Sequence, residues 1–291
     1  MIQKAPAKIN LFLEVTGRRP DGYHDLATLF ARIGVCDTLS FRKAARGLQL
    51  IVKGGPKELG RPVDNIVYLA AVKFFAAFGL VPSVEITLTK NIPVGAGLGG
   101  GSSDAAATLL GLARLYKLPE SSGGRLMKIA ASLGSDVPFF MLDSVFAEGR
   151  GRGEKLKAFK ASGRLPYVML VYPGVPVYTR EVYGNLKPGE SPEIKARLRE
   201  FTELCGLIRK GGFVPGKKGT LFNRLEEPVL PRHKTVRLAK ARLAELGADA
   251  VLMSGSGASV FGLCRNRAKA ERIMAVLGRI RGYSIFLTKF C

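Results

Sequence analysis

A chain of 291 residues, 47% hydrophobic and 23% charged, carries apolar material for a sizeable core and excludes a disordered or fibrous protein. Its formal net charge of +22 draws phosphate-bearing partners of any kind, while no run of about 18 uncharged apolar residues offers a membrane span. Cys36, Cys205, Cys264 and Cys291 lie far apart with no CxxC, which speaks against disulfide and metal frameworks.

In chain order, "AKINLFLEVTG" alternates apolar and polar residues and reads as a strand ending at Gly17. "TLSFRKA" and "LQLIVKG" read as further strands. "DNIVYLAAVKFFAAFGL" has helical spacing, with Asp64 as candidate cap and Gly79 near its end. "SVEITLTKNIP" is a strand stopped by Pro93. A glycine-rich segment then leads into a helix that runs to about Tyr116. "GGRLMKIAASLG" is a short helix ending at Gly134, and "SVFAEGRGRGEKLKAF" reads as strand, glycine turn, strand. The second half gives a strand in "YVMLVYP" and helices in "YTREVYGNL" and "PEIKARLREFTELCGLIRKG". It closes with helix "HKTVRLAKARLAELG", strands "AVLMSGSG" and "SVFGLCR", helix "NRAKAERIMAVLG" and strand "YSIFLTK". This mixture is α+β, with a domain boundary expected near Gly163, giving domains 1–162 and 163–291. The N-terminus has no apolar signal-type stretch, so a cytoplasmic location is expected. The basic residues are interspersed with apolar and acidic ones, which reads as solvated faces rather than a nucleic-acid arm.

The segment "NIPVGAGLGGGSSDAAATLL" carries the chemistry. Glycines admit positive φ and let an anion approach the backbone. Ser102, Ser103 and Asp104 are good N-cap residues. The helix N-terminus behind them offers free amides and the positive end of the macrodipole. Phosphate binding is the reading that so many glycines favour over a plain turn. The spacing matches GxGxxG, but Glu120, about 20 residues on, follows Pro119 with no strand-like run before it, which argues against a dinucleotide fold. No Lys follows the glycines as a Walker loop requires, and no protein-kinase elements follow.

Pro93, Gly97 and the run to Ala106 resemble the phosphate loop of the GHMP small-molecule kinases. Ala7-Lys8-Ile9-Asn10-Leu11 and Gly255-Ser256-Gly257-Ala258 resemble that superfamily's first and third signature regions. "AKINLFLEVTGRRPDGYHDLATLF", "LGSDVPFF", "GRGEKL", "YPGVPVYT" and "FNRLEEPV" are similar to a branch acting on a cytidine diphosphate substrate in isoprenoid precursor synthesis. The similarity runs from Lys8 to about Phe261.

This resemblance implies a two-domain GHMP kinase fold, with a ribosomal-protein-S5-domain-2-like N-terminal domain and a ferredoxin-like α/β sandwich at the C-terminus. It implies Asp136 as catalytic base and Lys8 as its partner. It implies ATP phosphates on Pro93, Gly95, Ala96, Gly97, Leu98, Gly99, Gly100, Gly101, Ser102 and Ser103, with Asn65 and Lys90 near the adenosine. Cytosine would lie between Tyr23 and Tyr183 with His24 at its edge. Asn10, Thr179, Gly255 and Gly257 would complete the substrate side. Mg²⁺ is expected with ATP, by way of Ser103, without a dedicated protein site. A monomer or weak homodimer is expected, with no nucleic acid or membrane partner. The alternatives are another GHMP kinase, acting on homoserine, mevalonate or a sugar, and an RNA-binding module that has lost catalysis.

Overall fold

The computed structural model describes residues 1–55, 61–187 and 189–291. Strands β1 (Ile2–Arg18), β2 (His24–Lys43) and β3 (Gly47–Lys53) open the chain, followed by helix α1 (Ile66–Phe78), β4 (Ser83–Thr89) and α2 (Gly100–Leu115). Next come α3 (Gly123–Leu133), α4 (Val137–Met141), β5 (Phe146–Gly151), β6 (Lys155–Phe159), β7 (Tyr167–Tyr172), α5 (Thr179–Gly184) and α6 (Ser191–Lys210). The C-terminal part holds β8 (Phe222–Asn223), α7 (Glu226–Val229), α8 (Lys234–Glu245), β9 (Ala250–Met253), β10 (Val260–Cys264), α9 (Arg267–Leu277) and β11 (Ser284–Thr288).

The chain forms two compact units. One comprises Met1–Ala7, Val35–Val94 and Gly99–Asp143; the other comprises Lys8–Gly34, Gly95–Leu98 and Ser144–Cys291. Strands β1 and β2 each give one end to each unit.

In the first unit the strand order is β3-β4-β2-β1, with β4 antiparallel to β2 and parallel to β3. The alternation of "SVEITLT" sends Val84, Ile86 and Leu88 inward, each at about 1.5–3 kcal/mol of burial. Helix α1 buries Val67, Ala70, Ala71, Phe74 and Phe75 and packs beside α2 and α3. Its N-cap is Asn65, whose side-chain oxygen accepts the Val67 N–H at 2.9 Å. Asp64 lies in a preceding 3-10 turn, so the expected cap is one residue too early. Gly79 ends the helix in the left-handed conformation. Helix α2 is alanine-rich because it runs close over the sheet: a Cβ on Gly111 would stand 2.5 Å from the Phe41 ring on β2.

In the second unit the order is β6-β5-β2-β1-β8. Leu26–Ala31 of β2 pair antiparallel with β5, and Phe12–Leu13 of β1 pair parallel with β8. The β5–β6 glycine turn is closed by Glu154, which accepts the Arg152 N–H at 2.6 Å. A second sheet, β11-β7-β10-β9, is wholly antiparallel. Its strand order and the β-α-β-β-α-β path give the ferredoxin-like arrangement. Met169, Val171, Val260 and Cys264 share one face of that sheet. They form a core with Val236, Ala239 and Leu243 of α8 and Ala270, Ile273 and Leu277 of α9.

Candidate active site

In the second unit, three separate stretches of sequence meet. The turn Gly95–Leu98 is left-handed at Gly95 and Gly97. The Lys8 N–H donates to Leu98 O at 2.9 Å, the Ser254 hydroxyl to Gly97 O at 3.0 Å, and the Ser259 N–H to Ala96 O at 3.1 Å. A Cβ on Gly97 would come within 2.1 Å of Ser254 O, so only glycine allows this approach. Gly255, left-handed at φ +55°, lies so close to the first motif that a Cβ would stand 3.2 Å from Asn10 Oδ1 and 3.3 Å from Lys8 Nζ.

The side chains there form a relay. Lys8 Nζ donates to Asn10 Oδ1 at 2.8 Å, Asn10 Nδ2 to Thr28 Oγ1 at 2.7 Å, and Thr28 Oγ1 to Phe12 O at 2.8 Å. All three are buried, and Lys8 Nζ also faces the Phe30 ring at 5.5 Å. Strand alternation puts Lys8 and Asn10 on one face of β1, and the relay fixes Asn10's amide orientation.

Below the Gly255 turn, buried Asn223 donates to both Met253 O and Gly255 O at 2.8 Å and accepts the Leu225 N–H at 3.0 Å. The Thr179 and Ser256 hydroxyls are hydrogen-bonded at 2.9 Å, which ties the start of α5 to Gly257's turn.

The same unit holds an aromatic group. His24 stacks on Tyr183 with centroids 5.1 Å apart and planes 28° apart. Tyr23 is 57% exposed, with the Arg152 guanidinium over its ring at 4.8 Å. Burial, with Arg18 nearby, holds the His24 imidazole below its ordinary 6.5, so the ring is neutral at pH 7.

In the first unit, α2 starts at Gly100, with left-handed Gly99 as N-cap. Ser102, Ser103 and Asp104 therefore lie inside the helix and do not cap it. The first intrahelical bond is Ser103 N–H to Gly99 O, which leaves the amides of Gly100, Gly101 and Ser102 at the helix end. Ser103 is buried, and among the described residues its hydroxyl has no hydrogen-bond partner. Pro93 is half-buried two residues before the turn. Asn65 caps α1, as described. Lys90 is turned inward, with its ammonium on Asp37 and Asp104. Asp136 is half-buried immediately before α4, with no side-chain capping bond.

The structure thus groups Lys8, Asn10, Ala96, Gly97, Leu98, Gly255 and Gly257 in one unit, with His24, Tyr23, Tyr183 and Thr179 in that unit as well. Asn65, Lys90, Pro93, Gly99 to Ser103 and Asp136 belong to the other. Thr28, Asn223 and Arg152 were not singled out from sequence. Asn223 sits in the quoted "FNRLEEPV", and its burial beside a glycine turn was the missing signal.

The motifs and fold define the class of the GHMP kinases: the GHMP kinases N terminal domain matches residues 65–144 and the GHMP kinases C terminal domain matches residues 215–283. The chain is 40% identical over 286 residues to the 4-diphosphocytidyl-2-C-methyl-D-erythritol kinase of Syntrophus aciditrophicus, covering 98% of this chain and 97% of that one. It is 42% identical over 272 residues to the kinase of the same name from Pelotomaculum thermopropionicum, covering 93% and 91%. A crystal structure of 4-(cytidine 5'-diphospho)-2C-methyl-D-erythritol kinase matches with a TM-score of 0.80 at 34% identity over the whole of both chains. A homoserine kinase from Cytophaga hutchinsonii, at 18% identity and TM-score 0.71, shares the fold. The chain belongs to the 4-diphosphocytidyl-2-C-methyl-D-erythritol kinase family. It is a kinase with ATP as co-substrate.

Proposed function

We propose that the protein transfers the γ-phosphoryl group of ATP to the 2-hydroxyl of 4-diphosphocytidyl-2-C-methyl-D-erythritol, a step of non-mevalonate isoprenoid precursor synthesis. The observation that carries this reading is the meeting of Lys8, Asn10, the Gly97 turn and the Gly255 turn, three signature regions far apart in sequence.

Phosphoryl transfer asks the protein mainly for positioning and for neutralisation of charge on the γ-phosphate. The amides of Gly100, Gly101 and Ser102 at the start of α2 suit phosphate oxygens. The backbone from Pro93 through Gly95, Ala96, Gly97, Leu98 and Gly99 would follow the nucleotide, with Asn65 and the backbone of Lys90 toward the adenosine, the Lys90 ammonium being turned inward. The unpartnered Ser103 hydroxyl is an oxygen ligand of the type Mg²⁺ takes, so Ser103 would hold the ion of MgATP. Bound there, Mg²⁺ would supply charge neutralisation on the phosphates.

Asp136 accepts the proton of the substrate hydroxyl. As it does so, that oxygen bonds to the γ-phosphorus, and the bond to the β-phosphate oxygen breaks to release ADP. Lys8 stabilises the developing alkoxide. Asn10 fixes the Lys8 ammonium and faces the substrate's polar groups, beside Gly255, Gly257 and Thr179. The cytosine ring takes Tyr23 and Tyr183 as stacking faces, and neutral His24 offers one donor and one acceptor to its edge. In this reading 1–162 is the ATP-binding domain and 163–291 the second domain.

A substrate analogue lacking the 2-hydroxyl tests the assignment. It is expected to bind with the affinity of the substrate and to support no ADP release above the ATP-only background. ADP release at the substrate's rate would refute the proposed site of transfer.

A further inference from the structure

A buried ion cluster beneath the start of α2 is not used by the mechanism above. Lys90, at the end of β4, has its side chain 6% exposed; Asp37 on β2 and Asp104 in α2 have theirs 0% and 3% exposed. Lys90 Nζ donates to Asp104 Oδ2 at 2.7 Å and to Asp37 Oδ2. Asp37 Oδ1 also accepts the Ile92 N–H at 2.8 Å and the Asn91 N–H. The Lys90 N–H itself donates to Lys53 O on β3 at 2.8 Å. One lysine therefore joins three elements: the strand β2, the corner Lys90–Ile92, and the first turns of α2.

The position of this ammonium matters for the helix end. A Cβ on Gly100 would lie 3.4 Å from Lys90 Nζ and 3.0 Å from Ile92 Cγ2, so the corner packs directly against the first residue of α2. Helix α2 has no side-chain N-cap bond to hold it. Three left-handed glycines, Gly95, Gly97 and Gly99, precede it, and their backbone freedom would let the helix start drift. Two buried carboxylates on one lysine carry an excess negative charge. The pKa of Lys90 is raised: burial opposes its charge, but Asp104 and Asp37 outweigh that. Among the described residues the buried Asp104 Oδ1 atom has no hydrogen-bond partner.

We infer that Lys90 is a positioning residue, a charge clasp whose ammonium neutralises the buried Asp37 and Asp104 carboxylates, whose mutual repulsion would otherwise displace the Gly100–Ser103 turn from the nucleotide phosphates. The inference rests on the reading of that turn as the phosphate site. It gives the ammonium of Lys90 a role inside the protein, not on the nucleotide.

Three variants test it: Lys90→Gln, Asp104→Asn, and the double variant Lys90→Gln/Asp104→Asn. Each is measured for thermal midpoint, for equilibrium binding of a fluorescent ATP analogue with Mg²⁺, and for KM(ATP) and kcat in turnover. Lys90→Gln leaves two buried carboxylates facing each other. It is expected to lower the midpoint and raise KM(ATP) by about tenfold with a smaller change in kcat. Asp104→Asn keeps the Lys90–Asp37 pair, so midpoint and KM(ATP) are expected to stay close to wild type. The double variant retains only Asp37, which still accepts its two backbone amides. It is expected to recover both midpoint and KM(ATP) to within about threefold of wild type.

A double variant that keeps the full KM(ATP) defect of Lys90→Gln would place Lys90 on the nucleotide and overturn the clasp. So would a Lys90→Gln variant with unchanged midpoint and KM(ATP). If Lys90→Gln alone does not fold, recovery of folding and binding in the double variant is the expected result, and an unfolded double variant overturns the inference. If the wild type binds no ATP analogue, the phosphate reading fails by itself. The midpoints still test the clasp: recovery in the double variant supports it, and additive losses refute it.

Discussion

Gly97 leaves no room for a side chain: at φ +73°, a methyl group would meet Ser254 O at 2.1 Å. Gly97→Ala is expected to cost about 2–4 kcal/mol, seen as a lowered denaturation midpoint, because both the strained φ and the clash must be relieved. An unchanged midpoint would mean that the turn is not held as described. His24 makes a second residue-scale prediction. Its imidazole titrates below 6.5, so the neutral ring is favoured in the folded chain. The unfolded chain takes up its proton first as pH falls, so this residue's contribution to stability is present above pH 6.5 and lost below it. KM for the cytidine substrate is expected to be flat from pH 8 to 6.5 and to rise only below. His24→Ala is expected to raise that KM by about tenfold or more with a smaller effect on kcat. A KM that rises already between pH 8 and 7 would contradict the neutral-ring assignment.

At the scale of elements, the short strand β8 does the most with the fewest residues. Asn223 holds the Met253 and Gly255 carbonyls, and the next residue, Arg224, forks onto buried Glu14 of β1 with two bonds of 2.8 Å. Asn223→Ala leaves two carbonyls without their donor, and a loss of about 2–3 kcal/mol in urea unfolding is expected. A loss below about 0.5 kcal/mol, the range of ordinary surface changes, would show that water replaces the amide.

None of this joining was legible in sequence. A two-residue strand has no period, and Glu14 and Arg224 are brought together only by the parallel β1–β8 pairing. The longer elements were legible, since β4 alternates strictly and α1 and α9 have helical apolar spacing. The helix starts were read less well. Ser102, Ser103 and Asp104 have capping chemistry, yet the left-handed Gly99 begins α2 before them. Asp64 and Asn65 are both capping residues, and only the backbone decides for Asn65. Among site residues, Lys8, Asn10 and the glycine turns were visible by motif. Thr28 was not, because a threonine facing inward from a strand looks like any other β-branched residue.

The whole molecule is strongly basic, at +22. Helices α8 and α9 show how that charge is carried: apolar residues go to the core, while Lys234, Arg237, Arg242 and Arg272 are exposed. ATP and a cytidine diphosphate substrate are both anionic, so a field of this sign raises their encounter rates and is screened by salt. kcat/KM for both substrates is expected to fall about three- to tenfold between about 50 and 500 mM NaCl, with kcat little changed. Salt-independent kcat/KM would show that the charge does not serve substrate capture. No helix among the described residues is long and apolar enough to cross a membrane.

The most direct measurement is coupled ADP release by the purified protein with MgATP, with and without 4-diphosphocytidyl-2-C-methyl-D-erythritol, beside an Asp136→Asn variant. ADP release is expected to depend on that substrate and to drop by about 10²–10⁴ in the variant, the range for loss of a general base, with ATP binding retained. Release that ignores the substrate, or a variant as active as the wild type, would contradict the assigned reaction or its base.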